Sequence, residues 1–189
     1  MKYTPAICVL FLSSGLAGCG VLFGNVRPIA EKSDRFSVVD LSENQKNWVK
    51  LSTVEESTDS DKGLDEDASQ SASSDLAWQS AKTASIISLN SACRTKVGQS
   101  DRDLRSWTDE LLLSFSRISA RAEKPVTVDG RPALATVVSG TMDGQLMKLS
   151  TVVLKDDSCL YDLMYVAKEE HFADEEADFS TFVASLHVE

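Results

Sequence analysis

Two hydrophobic periods divide the chain. "RFSVVDL" (Arg35–Leu41) and "NWVKLST" (Asn47–Thr53) alternate as strands do and are expected to pair with each other. In "AWQSAKTASIISLNSACR" (Ala77–Arg94), the run Ala84–Leu89 suits another strand. The clearest pattern follows. "KPVTVDGRPALATVV" and "VSGTMDGQLMKLSTVVL" each hold an Asp-Gly pair between apolar-rich runs, at Asp129-Gly130 and Asp143-Gly144. Asp-Gly tolerates the positive φ values that two-residue hairpin turns demand. "KDDSC" (Lys155–Cys159) reads as a third turn, so strands at about 121–128, 131–141, 145–155 and 159–167 should form an antiparallel meander.

The helical period occurs twice. Leu104, Trp107, Leu111, Phe115 and Ile118 fall on one face of a helix capped by Ser100 or Asp101 and running to about Ile118. Phe172, Phe179, Phe182, Val183 and Leu186 mark a closing helix with Asp174, Glu175 and Glu176 in its first turn. The predicted fold class is α+β, an antiparallel sheet packed by two helices. Tyr161 and Tyr165 alternate with Asp162 and Met164, and core packing is their expected role; an exposed aromatic binding pair is the alternative.

Composition is that of a globular chain, 42% hydrophobic and 25% charged over 189 residues, with net charge −10. Such acidity repels phosphate backbones, so nucleic acid is not an expected partner. The charge is uneven. Val54–Asp75 holds eight acids against one lysine with few apolar side chains, and reads as a solvated acidic insertion at about 54–75.

The N-terminus has the layout of an export signal: Lys2, the apolar run Ala6–Leu12, then small residues up to Cys19. Leu16-Ala17-Gly18-Cys19 resembles the lipobox of bacterial lipoprotein precursors. The resemblance implies cleavage between Gly18 and Cys19, acylation of Cys19, and a membrane partner reached through that lipid. Several acyl chains anchor durably at about 0.8 kcal/mol per buried CH₂. Gly20 in place of an aspartate implies the outer membrane, at its periplasmic face, in a Gram-negative host. An uncleaved anchor or a plain secretory signal is the alternative. The expected organisation is a signal peptide over residues 1–18, a tether over 19–33 and a domain over 34–189.

Cys93 and Cys159 then remain, 66 residues apart, in a compartment where disulfides persist. A bridge between them is expected, worth about 4 kcal/mol in the chain-entropy description. Two separately buried thiols are the alternative.

The chain has no G-x-S-x-G, H-E-x-x-H, phosphate-cradling glycine loop or C-x-x-C. No catalytic residue, cofactor or metal site is expected, and the protein is not expected to be an enzyme. His171 is placed at the start of the last helix and His187 at its end, favoured there by the helix dipole. A continuous helix would hold them about 24 Å apart. Asp59, Asp61, Asp65, Glu66 and Asp67 resemble an acidic calcium loop, but Gly63 stands where a third acid belongs and the bidentate glutamate is missing. A small-ligand or calcium-binding lipoprotein is therefore the alternative function.

The order of elements resembles the PsbP-like fold. The likeness is carried by "DRFSVVDLSENQKNWVKL", the mid-chain helix, "VDGRPALATVVSGTMDGQLMKLSTVVLKDDSCLYDLMYVA" and "FSTFVASL", over residues 34–189. That fold serves an extrinsic photosystem subunit and a nuclear-import factor that binds a small GTPase. The resemblance implies a non-catalytic module that binds or steadies another envelope protein of unknown identity. The acidic insertion departs from the compact pattern.

Overall fold

The computed structural model describes residues 33, 35–44, 47–52, 74–93, 103–156 and 159–189. Gly18, Cys19, the rest of the expected signal and tether before Ser33, and the expected acidic insertion up to residue 73 lie outside the described residues.

The meander is present with little change. β5 (Arg117–Val128), β6 (Arg131–Met142), β7 (Gln145–Lys155) and β8 (Cys159–Lys168) pair in sequence, all antiparallel. Its first two turns are two residues long, with positive φ at Asp129, Gly130, Asp143 and Gly144. That geometry matches the twist of the flanking strands, and aspartate and glycine tolerate it best.

The remaining strands join the other side of β8. β4 (Ile86–Cys93) pairs with β8, β3 (Leu76–Ser80) with β4, and β2 (Trp48–Lys50) with β3. The seven-stranded order is β2-β3-β4-β8-β7-β6-β5. Two expectations are corrected here. The segment at 35–41 does not pair with the segment at 47–53: β1 (Phe36–Ser37) pairs with β9 (His187–Val188) at the chain's end, and α1 (Leu41–Asn44) follows it. The single strand expected near Ala84–Leu89 is the second arm of a hairpin that turns through Ala84, at φ +58° without a glycine.

Side-chain alternation gives the sheet two unlike faces. One carries Ile87, Leu89, Val152, Leu154, Tyr161, Leu163 and Tyr165, all buried. Over it lies α3 (Phe172–Ala184), which inserts Phe172, Phe179 and Phe182; Leu41, Trp48 and Trp78 complete this core. The Trp78 and Phe182 rings meet edge-on at 5.3 Å, and Tyr165 lies 4.9 Å from Phe172.

The opposite face is covered by α2 (Leu104–Leu111) and a short 3-10 turn, Leu112–Ser114. Its cluster is smaller: Leu112, Phe115, Val138 and Leu149, edged by Met142, Met147, Met164 and Val166. The helix begins later and ends earlier than its periodicity predicts. Asp103, not Ser100 or Asp101, caps it, accepting from the Ser106 amide at 2.7 Å. Phe115 is extended, and Ile118 belongs to β5. A Cβ at Gly140 would collide with the Arg117 backbone carbonyl and the Phe115 ring, so that glycine permits the close approach of the chain leaving the helix.

Phe182 is fully buried between α3 and Trp78. Phe182→Ala should lower unfolding stability by about 3–5 kcal/mol in chemical denaturation. Ser180→Ala, exposed on the same helix, should stay within about 0.5 kcal/mol. Equal effects would mean that α3 does not seal this core.

Candidate functional site

The chemistry-bearing side chains fall into four groups. At one end of the sheet, Cys93 is the last residue of β4 and Cys159 the first of β8, and they are register partners. The structure joins them in a disulfide with Cα atoms 4.1 Å apart. The bridge therefore clips the central strand pair at its end. Arg35 donates from its guanidinium to the Cys159 sulfur at 3.7 Å, and Ser33 receives two anchors: its amide donates to Ser91 Oγ at 2.7 Å, and its hydroxyl meets the Tyr161 hydroxyl at 3.0 Å. Asp75, the last residue of the predicted acidic insertion, is held by the sheet, accepting from the Ser91 amide at 2.6 Å and the Ser91 hydroxyl at 2.5 Å.

The second group binds the chain's end to the first Asp-Gly turn. Asp129 accepts from the Val188 amide at 2.9 Å and from Arg131 at 2.6 Å, and meets His187 Nδ1 at 3.1 Å. The Val188 amide above all, then His187, holds the Asp129 carboxyl below its usual range. His187 is thus on β9 and not at a helix end: α3 stops at Ala184, so the dipole reading is corrected. His171 does stand at the start of α3, with Nδ1 3.3 Å from Asp174. The two histidines serve separate local contacts.

A third group surrounds Glu175, a buried acid among the phenylalanines of α3. It accepts from Ser80 and Thr83 hydroxyls, each at 2.5 Å, and so fastens the β3–β4 turn to the helix. Asp40 performs a similar task at α1. It accepts from the Ser42 hydroxyl at 2.5 Å, the Trp78 indole at 3.0 Å and Lys50 at 3.1 Å. The Ser42 hydroxyl is the main cause that holds its carboxyl well below the usual range, with Lys50 and Trp78 adding to it.

The fourth group lies on the α2 face. Asp162 on β8 accepts from the Asn90 side chain at 2.6 Å. Burial drives its carboxyl up to about 6, against the lowering effect of Asn90, and Asp75 adds to the rise. Nearby, Thr136 and Thr151 are cross-strand partners with fully buried hydroxyls that make no hydrogen bond. Arg121 is gripped by Asp109 of α2 at 2.6 Å and by Glu123 at 2.5 Å.

Together these groups make structural clasps. Tyr161 and Tyr165 are both fully buried, in agreement with the core expectation; the Tyr165 hydroxyl donates to the Phe172 carbonyl at 2.9 Å. Among the described residues no cluster of three metal-ligating side chains occurs, while the acids at 59–67 lie outside them. An open cleft of about 500 Å³ is lined by Gln145, Leu146, Lys168, Glu169 and Glu170, with charges of both signs.

Sequence patterns carried part of this information. Glu175 lies three residues after Phe172 and four before Phe179, so its place on the apolar stripe marks it as the inward acid. No sequence signal singles out Asp129 as the binding point for β9.

No protein-family model matches the chain, and no curated protein matches it by sequence. Among solved structures it is similar to cyanobacterial PsbP (CyanoP) from Synechocystis sp. PCC 6803, at 10% identity and a TM-score of 0.46, over 88% of this chain and 96% of that one. It is also similar to PA94 from Pseudomonas aeruginosa, a protein of unknown function, at 11% identity and a TM-score of 0.42, over 82% of this chain and 98% of that one. Each is a likeness of fold alone.

Replacing Cys93 and Cys159 together by serine should cost about 4 kcal/mol in thermal or denaturant unfolding. Wild-type protein in reductant should match that variant; indifference to reductant would argue against the bridge. Asp162 binds its proton more tightly folded, at about 6, than at the ordinary 3.8. The folded state therefore gains stability from this group as pH falls from 7 toward 4, and pays for the buried charge above 6. Asp162→Asn should accordingly be more stable than wild type by up to about 3 kcal/mol at pH 7.5, the advantage vanishing near pH 4. A pH-independent difference would refute the assignment.

Proposed function

We propose that the chain is a lipid-anchored envelope lipoprotein whose domain works as a non-catalytic interaction or assembly module. Cys19 carries the acyl chains, residues 19–33 connect it to the domain, and the site is the periplasmic face of the outer membrane. The observation that carries this reading is the run Leu16-Ala17-Gly18-Cys19, placed directly after an apolar export segment. Its support from the domain is positional. Ser33 is fixed beside the disulfide by Ser91 and Tyr161, so the chain enters the fold at one end of the sheet. The opposite end, with the β6–β7 turn and the exposed Leu113, Ile118 and Leu146, is left free to face outward from such an anchor.

The polar groups described above also favour a binding role over a chemical one. Glu175, Asp40 and Asp129 spend their lone pairs on hydrogen bonds within the fold. The partner is another envelope protein, reached by diffusion in the membrane plane.

The native protein should have a mass equal to residues 19–189 plus the acyl groups, and should partition with membranes until detergent is added. Cys19→Ala should release it to the soluble fraction with its fold unchanged by circular dichroism. Recovery of an unacylated chain that leaves membranes in salt alone would reject the proposal.

A further inference from the structure

β5 is an end strand of the seven-stranded sheet, and among the described residues nothing pairs with its outer edge. It is twelve residues long, whereas the strand at the other end, β2, has three. A free edge presents amides and carbonyls that another chain can use.

The register says which groups those are. The two-residue turn at Asp129-Gly130 makes Val128 and Arg131 a hydrogen-bonded pair. Such pairs alternate along an antiparallel ladder, so Lys124 and Ala122 bond inward to β6, while Glu123 and Arg121 aim their N–H and C=O groups outward. Pro125 is an outward position too, and there its missing N–H costs nothing. A bulge between Ile118 and Ala120 interrupts the other end. Bulge and proline bracket a window from Ala120 to Lys124 that offers four unused backbone groups.

The side chains on the α3 side of this window have a definite chemistry. Ala120 and Ala122 are exposed and small, leaving a shelf where a neighbouring strand can place larger side chains. Arg117 and Lys124 stand at its two ends, both exposed, with no ion pair to any described residue. Arg121, on the other side, is already committed to Asp109 and Glu123. In a chain of net charge −10, this strand carries three cations and one carboxylate.

We infer that the edge of β5 between Ala120 and Lys124 is a docking site for an extended acidic segment of a partner polypeptide, which adds a strand to the sheet and sets carboxylates against Arg117 and Lys124. This rests on the reading of the domain as an interaction module and names its surface. Main-chain hydrogen bonds supply the adhesion and the two cations select the partner's charge.

The test uses the full chain in detergent and a labelled ten-residue peptide that alternates glutamate and valine. A lysine-for-glutamate peptide and one with a central proline serve as controls. The glutamate peptide should bind about tenfold more tightly than either control, and the double variant Arg117→Glu, Lys124→Glu should lose about that factor. Hydrogen exchange at the Arg121 and Glu123 amides should slow on binding. Equal affinity for the lysine peptide, or unchanged exchange at those two amides, overturns the inference. So does a concentration-dependent dimer that the double variant abolishes, which would assign the edge to a second copy. A double variant that still binds the glutamate peptide as wild type does defeats this inference and leaves the module reading standing; loss of anchoring in Cys19→Ala bears only on the latter.

Discussion

The seal between α3 and one sheet face is the constraint on which the rest of the molecule depends. A seven-stranded antiparallel sheet has two faces, and here one is apolar without interruption from Ile87 across Leu163 to Val152. Phe172, Phe179 and Phe182 fill it from above. Burying an aromatic side chain gains a few kcal/mol, so these three outweigh the surface contacts of the helix. Glu175 rides into the same interface and is tolerable there only because Ser80 and Thr83 satisfy its oxygens. The β3–β4 turn is therefore placed by the helix. With Trp78 packed on Phe182 and its indole bonded to Asp40, the N-terminal segment is placed as well.

The second face is built on a thinner contact. α2 is eight residues long, and its one buried side chain, Thr108, returns its hydroxyl to the Leu104 carbonyl. Beneath lie Thr136 and Thr151, whose buried hydroxyls find no partner. Each such group forfeits about 1–3 kcal/mol of solvation. What holds the helix is at its margins: Arg121 to Asp109, Arg105 to Glu123 at 3.5 Å, and the apolar foot of Leu112 and Phe115. The α2 side is accordingly the less stable half of the domain and should open first under local unfolding.

The legible parts of the fold are those written in local pattern. Asp129-Gly130 and Asp143-Gly144 identify their turns because few other pairs accept two successive positive φ values, and the strands between them follow with boundaries within a few residues. The closing helix is legible through its phenylalanines. The α2 boundary is not, because Phe115 and Ile118 continue a helical period while belonging to extended chain, and the tight packing of that chain on Gly140 is not visible in local sequence. β1 and β9 are two residues each and pair across the whole domain, far below the length at which alternation carries information. The disulfide is legible in the sequence as an expectation because Cys93 and Cys159 are the two cysteines outside the N-terminal segment. The clasps were not, since a single aspartate in a turn looks the same whether it faces water or receives the end of the chain.

These clasps tie together distant segments of the described domain, whereas most of the net charge of −10 belongs to residues 54–75, with their eight acids and one lysine. Asp40, Asp129 and Glu175 each join segments distant in sequence through hydrogen bonds to an amide, hydroxyls and an indole nitrogen, with Lys50 paired to Asp40 and Arg131 to Asp129. Arg117 and Lys124 form no ion pair with any described residue, and cations so placed along an edge help to orient an approaching acidic chain before contact. A net-acidic chain can thus present a basic edge, and the placement of Ser33 at the disulfide end leaves that edge clear of the point where the chain enters.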